Sequence, residues 1–205
     1  ERLVQQTALE SAAQHDEVLE VVNDHYSQVV EKAPRQAQGS LPLPATLTID
    51  LGREISAKSA SGMRVYLYSE YPFPWRKDGG PHDAFEREAL RRLQADPDHP
   101  FYEFTQIDGR PVVRFARARR MKASCVQCHN ANKDSPKRDW KEGDVCGAME
   151  IIRPLDEDVA RVRAALRETF VLAGTVSLLL LSVCILVLVG NRRRRAARGP
   201  AGKVV

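Results

Sequence analysis

From Thr169 to Val189 the chain runs for 21 residues without a charge. The run reads Thr-Phe-Val-Leu-Ala-Gly-Thr-Val-Ser-Leu-Leu-Leu-Leu-Ser-Val-Cys-Ile-Leu-Val-Leu-Val. About 20 such residues span a bilayer as a helix, which satisfies its own backbone groups in the hydrocarbon. The alternative is a buried core helix, but the length of the run and the arginines that follow it, Arg192 to Arg195, argue against that. Positive residues stay on the cytoplasmic side. The expectation is a single-pass protein of the bacterial cytoplasmic (inner) membrane, with its main domain periplasmic or otherwise extracytoplasmic and its C-terminus cytoplasmic. The chain opens on Glu1, without a methionine or a signal peptide, so a cleaved signal or an N-terminal anchor is expected ahead of it.

The formal net charge of +4 comes from the tail, where Arg192 to Arg195, Arg198 and Lys203 lie and no acidic residue follows Glu168. Without those six, 25 basic residues face 27 acidic ones. A slightly acidic domain lacks the basic face that nucleic acid requires, so no nucleic-acid partner is expected. A chain of 205 residues holds one well-buried domain plus accessory helices.

Residues 3–32 read as a long helix. Val4, Ala8, Ser11, His15, Val18, Val22, His25 and Val29 recur at alternating spacings of four and three, as in a packing seam. Its partner is either the domain itself or a second copy of the chain, making a homodimer through this helix. Pro34 ends it, and Gly39, Pro42 and Pro44 mark a loop. Residues 46–59 read as a helix with Leu47, Leu51 and Ile55 on one side. Met63 to Ser69 alternate as a strand, and Tyr71 to Pro81 is a rigid loop. Asp83 is placed to cap a helix running to Gln94. Phe101 to Ile107 and Pro111 to Ala118 form a hairpin around Asp108-Gly109. A loop carrying the motif described below follows, then a strand over Ala148 to Arg153 and a helix from Asp156 into the membrane. The fold class is α+β: a mixed sheet with flanking long helices and one C-terminal transmembrane helix. The divisions are 1–33, the N-terminal helix; 34–155, the domain; 156–190, the juxtamembrane and transmembrane helix; and 191–205, the tail.

Residues 125–129 read Cys-Val-Gln-Cys-His. Each cysteine can form a thioether with a haem vinyl group, and the adjacent histidine is then placed at the iron, so the pattern reads as c-type haem attachment. A thiol redox pair is one competing reading. Half of a zinc site is another, but a second ligand pair at zinc-site spacing is missing. The expected cofactor is one covalent haem c, with Cys125 and Cys128 as the attachment points and His129 as an axial iron ligand.

Three stretches sharpen this: Tyr71-Pro-Phe-Pro-Trp-Arg76 with Gly79-Gly-Pro81; Cys125 to Asn130 with Ser135-Pro-Lys137; and Asp139-Trp-Lys141 with Gly143-Asp-Val145, Gly147 and Pro154. Together they resemble the PAS-like c-type-haem sensor family, long listed as a domain of unknown function and found ahead of nucleotide-cyclase or histidine-kinase modules. The resemblance covers roughly residues 40–155. It implies a PAS-like fold, haem attachment at Cys125 and Cys128, axial ligation by His129, and haem packing by Trp140, which otherwise reads as a core tryptophan. Two positions depart from the pattern. Some members carry a ligating cysteine where this chain has a residue near Thr46, and members often have arginine at Cys146.

The sixth iron ligand stays open among Met63, His25, Cys146 and Met121, with an empty or water-filled position as a further choice. Packing alone also accounts for each of these residues. Arg114, Arg117, Arg119, Arg120 and Lys122 precede the motif, and arginine forks suit haem propionates as well as a solvated strand edge. No catalytic constellation is present, so no enzymatic activity is expected. The functional expectation is a redox or gas sensor with a signalling or electron-transfer membrane partner. The alternatives are a tethered one-electron carrier and a haem-bearing subunit of a larger membrane complex. Because 16 residues follow Val189, the output of a sensor would lie beyond this sequence or on another chain.

Overall fold

A computed structural model describes residues 2–34 and 40–197. Gly39 of the expected loop and Arg198 and Lys203 of the tail lie outside the described residues. Contacts divide the chain into two units, Glu1–Glu157 and Asp158–Val205.

The first unit is built on four strands: β1 (Arg64–Tyr68), β2 (Phe101–Ile107), β3 (Arg110–Arg120) and β4 (Val145–Pro154). They lie in the order β1-β4-β3-β2, and every neighbouring pair is antiparallel. The sheet is therefore not mixed as expected. The last strand returns between β1 and β3 instead of adding a parallel edge. The hairpin turns at Asp108 and Gly109, with φ of 52° and 76°. Both positive values are what a two-residue turn needs to match strand twist.

Helices cover both faces. On one, α3 (Ala84–Ala95) buries Phe85, Ala89, Leu90 and Leu93 against Tyr68, Ala116, Ala118 and Ala148. Asp83 caps it as expected, accepting from the Glu86 backbone N–H at 2.9 Å. On the other face lie α1 (Arg2–Lys32) and α2 (Pro44–Lys58). There Ala12 and Leu19 pack with Val65, Phe115, Met149 and Ile151. The α2 face centres on Thr48 and Gly52, not on Leu47 and Leu51. A Cβ at Gly52 would sit 3.0 Å from the Val65 carbonyl oxygen, so glycine permits the helix to approach β1 closely. Ser56 Oγ then accepts from the Val65 N–H at 3.0 Å, which occupies part of the edge strand's free hydrogen-bonding row.

The face that α1 presents to the sheet is Ala8, Ala12, Asp16 and Leu19. The expected seam shares only Ala8 with it. Val18, Val22 and Val29 are 62%, 39% and 46% exposed. A carboxylate decides the rotation of the helix. Asp16 is fully buried and lies 2.6 Å from Arg119 Nη2 and 3.4 Å from Arg117 Nε. Glu20 takes the other Arg119 nitrogen at 3.0 Å, and Asp24 pairs with Lys122. Acids at four-residue spacing share one helix face, and this face meets the basic end of β3.

Across the sheet, Arg114 joins Glu150 at 2.6 Å and Asp83 at 2.5 Å, with Phe85 beneath its guanidinium at 4.2 Å. Burial pushes the Glu150 carboxyl up to about 7 against the pull of Arg114.

The second unit is the body of α5, which starts at Asp156 and runs to Ala197. Among the described residues it is the one helix long and apolar enough to cross a membrane.

Removing one partner of a buried ion pair leaves the other uncompensated, at a cost of about 3–5 kcal/mol. Asp16→Ala is expected to lose on that order in denaturant unfolding of the detergent-solubilised chain, whereas Asp50→Ala, at an exposed pair, loses less than about 1 kcal/mol. The pH dependence has a definite sign. Glu150 and Asp16 both have raised carboxyl pKa values, chiefly from burial. The fold thus favours their protonated forms relative to the unfolded chain, and stability falls as pH rises from the usual carboxylate range through about 7. Glu150→Gln is expected to flatten this decline in melting temperature measured against pH.

Candidate functional site

The Cys-x-x-Cys-His segment is not a loop but a helix, α4 (Ala123–Ala131). No residue of it is buried. It belongs to an excursion between β3 and β4 whose ends are pinned together. Met121 N–H donates to the Asp144 carbonyl at 2.8 Å, and Gly143 N–H donates to the Met121 carbonyl at 2.9 Å. The β3–β4 register shifts between Arg119 and Arg120, which pair with Gly147 and Val145. Cys146 is the extra residue of this bulge. A Cβ at Gly147 would fall 2.5 Å from the Tyr68 carbonyl oxygen, so only glycine allows β1 to close on the bulge.

Cys125, Cys128 and His129 stand at i, i+3 and i+4 of α4, which places them on one face. Cys125 is half-buried, Cys128 is exposed and both thiols are free. His129 meets an aromatic shelf. The Phe73 ring lies 5.1 Å from the imidazole and stacks on Trp75 at 4.6 Å. Trp140 stands perpendicular to His129 at 6.4 Å and meets the Tyr71 ring edge-on at 5.7 Å. Trp75 is 57% exposed, so the shelf opens to solvent.

Asn130, the residue after the histidine, fixes this arrangement. Its Nδ2 donates to the Trp140 carbonyl at 2.9 Å, and its Oδ1 accepts from the Trp140 N–H at 3.0 Å. The reciprocal bonds tie the returning segment to the end of α4. Trp140 is buried, yet its Nε1–H has no hydrogen-bond partner. A buried donor left unpaired costs free energy, so it calls for an acceptor. A surface depression of about 460 Å³ borders this shelf and shares Tyr71 and Trp140 with it.

Burial, and then the Arg76 cation, hold the His129 imidazole below its usual pKa. Both effects favour the neutral imidazole, the form whose ring nitrogen can bind a metal. Arg76 is half-buried and donates from Nη2 to Thr46 Oγ1 at 3.0 Å.

Of the candidate sixth ligands, Cys146 lies close enough to the motif for Cys125 to act on it. Burial and then the neighbouring Cys125 push its thiol up to about 11, and its Sγ–H donates to the Arg119 carbonyl at 3.1 Å. It stands there as a thiol, not a thiolate. Met63 packs beside Leu9, Ile55 and Leu67 on the α1 side. It precedes Arg64, whose partner is Ile152. At about 3.4 Å per residue, that rung is roughly 20 Å from the Val145 end where α4 departs. His25 is exposed on α1, and Met121 is buried under the excursion. The basic run before the motif is matched internally: Arg114, Arg117, Arg119, Arg120 and Lys122 all face acids. Arg76, Phe73 and Asn130 were not singled out by role in the sequence. The signal for them was their place inside the stretches quoted above.

The Tll0287-like family model matches residues 1–154. The chain belongs to the Tll0287-like family. The match begins with α1, so the family unit comprises that helix as well as the sheet and the motif. No curated protein and no solved structure matches the chain.

Among the described residues no three His, Cys, Asp or Glu side chains gather as a metal site. Alkylation of the cofactor-free chain is expected to label the exposed Cys128 before the half-buried Cys125, and Cys146, half-buried with its thiol raised and bonded to the Arg119 carbonyl, slowest of the three, as read by peptide mass mapping. Labelling of Cys146 at pH 8 as fast as that of Cys128 would contradict its raised, bonded thiol.

Proposed function

We propose that this Tll0287-like chain is a membrane-anchored c-type haem domain, held outside the cytoplasmic membrane by α5, that acts as a redox or gas sensor. The observation that carries the reading is the coincidence of two free thiols and an imidazole on one face of α4 with an aromatic shelf beside that imidazole. A flat apolar ring suits such a shelf. The unpaired Trp140 donor and the Arg76 cation add polar groups of the kind that an acidic macrocycle engages.

In this reading Cys125 and Cys128 would hold the haem covalently and His129 would supply a nitrogen ligand to its iron. A bound haem supplies one-electron redox chemistry and, where its iron keeps an open position, a site for a diatomic gas. The chain's own residues orient and shield. Asn130 fixes Trp140 against the end of α4, and Phe73 and Trp140 limit water around the imidazole. Asp24 and Lys122 hold the start of α4 to α1, so a change at the motif has a direct mechanical route to that helix. The arginines after the apolar run support a cytoplasmic C-terminus.

A second reading, a tethered one-electron carrier, is favoured by the exposure of Cys128 and Trp75, since an accessible cofactor edge exchanges electrons readily. Optical spectra of protein matured in a host that attaches c-type haem separate gas sensing from the two redox readings. A carbon monoxide shift in the reduced form supports gas sensing. A low-spin reduced spectrum indifferent to carbon monoxide supports redox sensing or electron transfer. His129→Ala is expected to change the wild-type haem spectrum, and an unchanged spectrum would contradict iron ligation by His129.

A further inference from the structure

Arg76 closes a tight loop after β1. Its N–H donates to the Phe73 carbonyl at 2.8 Å, and its own carbonyl accepts from Gly79 at 3.0 Å. A Cβ at Gly79 would meet Pro72 Cβ at 2.8 Å, so the loop has little room to rearrange. The Phe73 ring of this loop lies 5.1 Å from the His129 imidazole, so the loop that carries Arg76 is the one that meets the motif helix. Thr46 Oγ1 on the first turn of α2 receives one of the Arg76 donors.

Among the described residues no carboxylate lies within ion-pair distance of Arg76. That contrasts with the basic residues leading into the motif, each of which meets an acid. The Arg53 cation opposes its charge and Asp50, bonded to Arg53 at 3.2 Å, offsets it only in part. A half-buried cation without a carboxylate bonded to it is costly. Its planar fork has the shape that binds a carboxylate through two parallel hydrogen bonds.

We propose that Arg76, positioned by Thr46, binds a propionate carboxylate of the haem attached at Cys125 and Cys128. The assignment rests on the haem reading above and replaces the arginines of β3, which the acids of α1, α3 and the loop before β2 already occupy. Loss of the cation leaves more negative charge near the iron, which favours the ferric form and lowers the midpoint potential.

The test uses full-length holoprotein carrying Arg76→Gln, Arg76→Lys or Thr46→Val, with resonance Raman spectra and potentials titrated against pH. In Arg76→Gln the propionate bending band is expected to shift and the potential to fall. The potential should also gain a pH dependence that the wild type lacks, because the released propionate now titrates. Arg76→Lys restores part of the potential, and Thr46→Val shifts the band less, in the same direction. A residue that merely supports the loop would change the melting temperature and leave the band in place. An Arg76→Gln holoprotein with wild-type band and potential would overturn the assignment while leaving the haem reading intact. If Arg76→Gln does not fold, an unshifted band in both Arg76→Lys and Thr46→Val overturns it equally. Wild-type protein without covalent haem would remove the haem reading and this assignment together.

Discussion

The buried pair of Asp16 and Arg119 governs the first unit. Asp16 is fully buried and would be costly there alone, so it fixes α1 where two guanidiniums can reach it. Arg119 is also the residue beside the bulge, and its carbonyl receives the Cys146 thiol. One residue therefore ties the long helix, the strand and the bulge together. The motif helix begins four residues later, and its N-cap residue Lys122 repeats the same kind of contact with Asp24. Position, not surplus stability, is the gain from this ladder, because buried ion pairs contribute little net free energy once desolvation is counted.

Much of the fold was legible because its signals are local. The helix over residues 2–32 has no proline or glycine, and Pro34 stops it. Asp108-Gly109 supplies the positive φ angles of a hairpin turn, and Asp83 caps α3 through its own side chain. The apolar run from Thr169 to Val189 marks its helix by length alone. What was not legible depends on distant partners. The face of α1 was misread because a packing pattern counts valines as core and an aspartate as surface, whereas Arg117 and Arg119 make Asp16 the buried residue. The order of the strands needed β4 to pair with a strand about 80 residues earlier, which no local pattern encodes. The motif helix went unseen because it buries nothing.

The site divides in the same way. Cys125, Cys128 and His129 are visible as a spacing, and Trp140 as a lone aromatic nearby. The reason Trp140 matters is the pair of backbone bonds to Asn130, and the reason Arg76 matters is that no carboxylate among the described residues is bonded to it. Neither is a property of a residue type. The basic run before the motif shows the converse. Its composition suits a carboxylate-bearing ligand, yet the fold matches each of its cations to acids on α1, α3, β4 and the loop before β2.

The central claim is that Cys125 and Cys128 carry a haem. The most direct measurement is the intact mass of the full chain matured in a host that attaches c-type haem, followed by mapping of the peptide that holds residues 125–129. The account predicts a mass increase of one haem on that peptide, lost when both cysteines are replaced by serine. An unmodified mass, or a mass showing only a Cys125–Cys128 disulfide, would contradict it.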